Sequence, residues 1–127
     1  MLIRNILSML LLAVTLCAFS SGCAVFKRAE TAEVAKVELV GFSKTELMSC
    51  AGVPVRSEKV GDMEFLTYVS DATGIGFFHR RKRYCEVTFT LRNGIVEKVS
   101  YSGNTGGTFT EGEQCAYVVT SCMSGDE

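Results

Sequence analysis

The side chains of this chain that could do chemistry are few. They are six cysteines (Cys17, Cys23, Cys50, Cys85, Cys115 and Cys122), one histidine (His79) and two nearby carboxylates (Glu111 and Glu113). Metal binding is disfavoured, because no two cysteines stand in a C-x-x-C pair and His79 lies in a basic run. The same lack of C-x-x-C argues against a thiol redox enzyme. There is no G-x-S-x-G, H-E-x-x-H or phosphate loop. His79 has no partner in sequence that would make it a general base, and Glu111/Glu113 read as a solvated or helix-start pair. No enzyme is expected. What remains is structural thiol chemistry at four cysteines, a different fate for Cys23, and one loop with a contact chemistry.

Cys23 follows a targeting pattern. Arg4 supplies a positive start, and Ile6 to Phe19 is almost wholly apolar. That is short of the roughly 20 residues a membrane span takes, and it has the size of a secretory h-region. The run ends Ser20-Ser21-Gly22-Cys23. Small residues just before a cysteine are the pattern of a bacterial lipobox, although Ser20 stands where Leu is usual. Residues 1–22 are therefore expected to be a lipoprotein signal peptide. Cys23 would carry diacylglycerol and an acyl chain such as palmitate, the only covalent group expected; no other cofactor is expected. Each buried CH₂ contributes about 0.8 kcal/mol, so several chains hold a small domain durably on a membrane. Ala24 takes the place where Asp marks inner-membrane retention, which points to the outer membrane and its periplasmic face.

The 127 residues suit one small domain, 47% hydrophobic with a net charge of −1. Loss of Arg4 with the leader would leave 12 basic against 14 acidic residues, which argues against a nucleic-acid partner. A domain of this size is marginal on core burial alone. Export puts Cys50, Cys85, Cys115 and Cys122 in an oxidising compartment, where an even set pairs. Cys115 and Cys122 are seven apart in a segment read as helical, which separates them by about 10.5 Å along the axis, too far for a bridge. The strand order below brings Cys85 near Cys115. Cys85–Cys115 and Cys50–Cys122 are the expected disulfides.

Residues 23–40 read as the lipidated cysteine and a tether, partly helical, with Val37–Val40 as a short edge strand in the alternative. Ser43 and Glu46 form a capping box, Phe42 and Leu47 a hydrophobic staple, and Gly52 and Pro54 a stop, so a short helix is expected from Lys44 to about Ala51. Gly61-Asp62 is a turn, followed by a strand over Met63–Ser70. Arg83–Arg92 alternates apolar Cys85, Val87, Phe89 and Leu91 with polar neighbours, the period of a half-buried strand. Asn93-Gly94 marks a hairpin to a third strand, Ile95–Ser102. A two-residue loop pairs Leu91 with Val96 and Cys85 with Ser102; the uneven apolar spacing of Ile95, Val96 and Val99 calls for a bulge near the turn. Gln114 to about Met123 is a helix or, given Val118-Val119-Thr120, a strand. The fold class is α+β: a short helix, a three-stranded antiparallel meander and a closing segment, stapled by disulfides, with residues 41–127 as one domain.

Residues 71–83 form the contact loop. Phe77 and Phe78 precede His79 and the basic run Arg80, Arg81, Lys82 and Arg83. The aromatic pair with its cations suits anionic lipid phosphates or a protein partner, and a solvated hairpin tip is the plainer alternative.

The succession Val40-Gly41-Phe42-Ser43-Lys44-Thr45-Glu46-Leu47, Gly52-Val53-Pro54, Gly61, Phe65-x-x-Tyr68, Val87-x-Phe89 and Asn93-Gly94-x-Val96-x-x-Val99 resembles the SmpA/OmlA/BamE family of small outer-membrane lipoproteins over about residues 38–102. In that family a G-x-[ST]-x-x-x-[LV]…G-x-P helix precedes a three-stranded sheet. The resemblance implies a non-catalytic scaffold or accessory subunit in envelope β-barrel assembly or integrity. The alternative it leaves is a periplasmic protein-binding or inhibitor-like module of the same fold.

Overall fold

The computed structural model describes residues 1–71 and 83–123, with the backbone alone at 16–21 and Asp71. Its elements run α1 (Leu2–Glu38), α2 (Lys44–Ala51), β1 (Arg56–Val60), β2 (Met63–Asp71), β3 (Tyr84–Arg92), β4 (Ile95–Ser102) and α3 (Ala116–Met123). The strands form one antiparallel meander in the order β1-β2-β3-β4.

The sheet has four strands rather than the expected three. The added strand, β1, pairs Arg56–Val60 with Met63–Thr67 across the Gly61-Asp62 turn. Its sequence, Arg-Ser-Glu-Lys-Val, carries no alternating apolar signal because all five residues are exposed at an edge. Charge on an edge strand is a common guard against unwanted pairing. Strand β2 runs one residue beyond the expected end, to Asp71, and β3 starts one residue late, at Tyr84.

Asn93 (φ 49°) and Gly94 (φ 78°) both lie in the left-handed region that a tight two-residue hairpin needs. Leu91 pairs with Val96 as expected, and the register shifts between Thr90 and Leu91 so that Thr90 faces Lys98. The bulge leaves Glu97 as the extra residue and keeps Val96 and Val99 on the core face. It also moves the far end by one position: Ser102 faces Glu86, not Cys85.

Leu66, Tyr68, Cys85, Val87, Phe89, Leu91, Val96 and Val99 line the inner face of the sheet. Tyr68 meets Phe89 edge-on at 5.6 Å between ring centres, and its hydroxyl donates to the Gly52 carbonyl at 3.0 Å. The helices close this face with Ala32, Ala35, Leu39, Leu47, Ala116, Val119 and Cys122. Truncating a buried ring such as Phe89 to Ala costs about 3–5 kcal/mol.

The capping box forms in full. The Ser43 hydroxyl accepts from the Glu46 N–H, and the Glu46 carboxylate accepts from the Ser43 N–H. Gly52 closes α2 at φ 81°. The approach to α2 also covers the start of the β4 edge, as Gly41 N–H donates to the Val96 carbonyl and Val96 N–H to the Phe42 carbonyl, both at 2.8 Å.

Residues 23–40, expected as a tether with an edge-strand alternative, are helical to Glu38, and the helix ends inside the core. Ala32, Ala35 and Leu39 recur at helical spacing and are fully buried. The closing segment is a helix, not a strand, and starts at Ala116, two residues later than expected. Ala116, Val119 and Cys122 are buried three apart, and two disulfides hold the segment, which outweighs the weak helix propensity of its β-branched residues.

Candidate functional site

Cys23 sits on α1 with an exposed, unbridged thiol. The described side chains of residues 1–15 and 22–24 are exposed, and packing starts at Val25 and continues through Arg28, Ala29, Ala32, Ala35 and Leu39. The helix therefore changes character two residues past Cys23, from a projecting arm to a packed element. No helix of the described residues is long and apolar enough to cross a membrane.

Cys50, Cys85, Cys115 and Cys122 form two disulfides, Cys50–Cys122 and Cys85–Cys115. The first ties α2 to α3, and the second ties β3 to the turn that leads into α3. Together they fasten the C-terminal segment, the second onto the sheet and the first onto α2. Among the described residues no cluster of three His, Cys, Asp or Glu is placed to hold a metal ion.

Strand β4 runs antiparallel to the packed part of α1. Val96 bonds to Gly41, whereas the Tyr101 hydroxyl donates to the Ala32 carbonyl at 2.6 Å. Going from Val96 to Ser102 is thus travel toward Cys23. The Asp71 and Tyr84 ends of β2 and β3 pair at that same end of the sheet. The expected contact residues Phe77, Phe78, Arg80, Arg81 and Lys82, with His79, lie outside the described residues.

Arg83, the last of the expected contact residues, is half-exposed and pairs with a buried carboxylate. Its Nη1 donates to Glu113 Oε1 at 2.5 Å, and Glu113 is buried at 1% exposure. The two carboxylates of the final loop have separate surroundings: Glu113 is held by Arg83, while exposed Glu111 faces a groove.

That groove was not expected from the sequence. It is an open depression of about 550 Å³ between α1 and the loop after β4, lined by Phe26, Ala29, Glu30, Glu33, Lys36, Thr108, Phe109 and Glu111. Phe109 is 87% exposed and Phe26 58%. The available signal was a lone aromatic in a Gly/Thr-rich loop and a Phe three residues after Cys23. Beneath the groove Lys36 Nζ stands 4.9 Å from the centre of the Tyr101 ring. Burial, and next the charge of Glu33, hold the Tyr101 hydroxyl far above its ordinary value. Around the helix Arg28 lies over the ring of Tyr117 at 5.5 Å.

The described surfaces include exposed rings, an exposed thiol at Cys23 and the exposed edge strand β1. No protein-family model, no curated protein and no solved structure matches the chain, so its function is read from its own residues.

Proposed function

We propose that this protein is an outer-membrane lipoprotein. Acyl chains on Cys23 anchor it, and its disulfide-stapled domain faces the periplasm as a non-catalytic scaffold or accessory subunit in envelope β-barrel assembly or integrity. The observation that carries the reading is the coincidence at Cys23. The residue that follows Ser21-Gly22 is exposed, and burial begins at Val25. Cleavage before Cys23 removes residues 1–22, whose described side chains are all exposed, and leaves the core contacts from Val25 onward in place. Two disulfides in so small a domain fit an exported protein. The resemblance across residues 38–102 supports the envelope role, with Phe77, Phe78 and Arg80–Lys82 as the contacts to anionic lipid or an envelope protein.

A periplasmic protein-binding module of the same fold is the second reading. It is favoured by β1, an edge strand whose five residues are all exposed and whose mixed charge restricts strand addition to a partner of complementary charge.

Labelling with an alkyne-bearing fatty acid and membrane fractionation test the anchor. The natural protein is expected to incorporate label and sediment with outer membranes, and Cys23→Ala to do neither. Equal behaviour of the two sinks the lipoprotein reading. A photo-crosslinking residue in place of Phe78 tests the role. Capture of barrel-assembly proteins or an outer-membrane barrel supports the accessory subunit. A soluble periplasmic protein that still binds Cys23→Ala favours the module.

A further inference from the structure

Single exposed apolar side chains are ordinary on any protein. The distribution of the aromatic ones here is not. Among the described residues four aromatic side chains are exposed: Phe26, Tyr84, Phe109 and Tyr117. All four lie toward the Cys23 end of the domain. Phe26 is one turn from Cys23 on α1, and Phe109 shares its groove. Tyr117 is stacked with Arg28. Tyr84 opens β3 at the Cys23 end of the sheet and donates its N–H to the Asn104 carbonyl. The exposed apolar residues of the opposite end, Val40, Val60 and Ile95 at the hairpins and the end of α1, are aliphatic.

We propose that this end of the domain seats directly on the bilayer surface, with Phe26 and Phe109 entering the boundary between headgroups and acyl chains and Tyr84 and Tyr117 flanking them. The inference rests on the anchor at Cys23 and adds an orientation to it. At 1.5 Å per residue Phe26 stands about 4.5 Å along the helix from Cys23, less than the roughly 5–10 Å over which interfacial side chains are buried. Aromatic rings are the side chains that concentrate at this level of a membrane. Exposed Lys27 is the neighbouring cation for lipid phosphates, and Arg28 holds its guanidinium over the Tyr117 ring. Glu30 lies about 10.5 Å from Cys23, where a carboxylate belongs in water, and with Glu33 and Glu111 it limits the depth of insertion. The domain is then held upright against the leaflet, not swinging on a flexible stalk.

The chain contains no tryptophan, so one introduced Trp reports its own surroundings. Phe109→Trp and, at the opposite hairpin, Val60→Trp are made in the full chain with its native acylation, and intact mass verifies the lipid. Both proteins are placed in vesicles of phosphatidylethanolamine and phosphatidylglycerol with brominated acyl chains. The expected result is a loss of emission and a blue shift at position 109, with position 60 unchanged. Acylated protein in which position 109 is quenched no more than position 60 overturns the seating and leaves the anchor standing. Protein whose mass shows no acyl chain overturns both.

Discussion

The hydroxyl of Tyr101 donates to the carbonyl of Ala32 at 2.6 Å, joining the end of the last strand to the helix that follows Cys23. The bond crosses 69 positions of sequence and is part-buried. It makes α1 a member of the domain, so any force on Cys23 reaches the sheet directly. Tyr101→Phe keeps the ring and deletes the donor, and should cost about 1 kcal/mol in urea unfolding.

The same hydroxyl gives an alkaline signature. Burial raises Tyr101 and Tyr68 above their ordinary value of 10.0. The unfolded chain releases these protons near pH 10 and the folded chain does not. The stability they contribute is thus complete below about pH 10 and lost as pH rises toward their folded values. Melting temperature should fall across this window, and less steeply in Tyr101→Phe. The Cys23→Ala background prevents thiol exchange. Equal slopes would show that Tyr101 does not titrate differently on folding.

Both disulfides fasten the segment that carries α3. Replacing Cys50 and Cys122 together with Ser should lower stability by roughly 2–4 kcal/mol, because a long loop of the unfolded chain is released. Protease should then cut first beyond Cys115, where α3 is no longer bridged to α2. Non-reducing peptide maps that show four free thiols would rule out both bridges.

Acid sensitivity should come from the α2 end. The Ser43 backbone and then its hydroxyl hold Glu46 below its ordinary 4.5, and the Lys44 ammonium does the same to Glu64 from 2.7 Å. Depressed carboxylates stabilise the fold above about pH 4.5, and that contribution is lost as pH falls through their folded values. Lys44→Met should flatten this acid limb in a thermal melt series. Ser43→Ala should cost about 1 kcal/mol at neutral pH through the lost cap.

Arg83 and Glu113 make an asymmetric pair, with the carboxylate side chain 2% exposed and the guanidinium side chain 49%. Removing the arginine leaves a buried charge without its cation. Arg83→Ala should therefore cost about 3 kcal/mol, and Arg83→Ala with Glu113→Gln less than either change would suggest by addition. A double-mutant cycle by chemical denaturation measures the coupling. Additive effects would show that the pair contributes nothing beyond its separate parts.

Local chemistry by itself determined much of this protein. Ser43 and Glu46 cap a helix wherever they are placed, Asn93-Gly94 turns a hairpin, and alternation from Cys85 to Leu91 sets the core face of β3. Those signals act over a few residues, so they are legible in one dimension. The disulfide pairing followed from them, since helix rise separates Cys115 from Cys122 and the hairpin carries Cys85 toward Cys115. Tertiary structure alone decided the rest. Arg56–Val60 has no apolar pattern and is a strand because β2 offers it an open edge. Val118-Val119-Thr120 is helical because its buried face meets α1 and α2 under two bridges. Residues 25–39 look like a polar, Ala-rich stalk, yet their small side chains let the helix approach the sheet closely enough for Tyr101 to reach Ala32. The placement of exposed rings toward the Cys23 end is likewise invisible in sequence, because Phe26, Tyr84, Phe109 and Tyr117 come from four separate segments that share one end only in the fold.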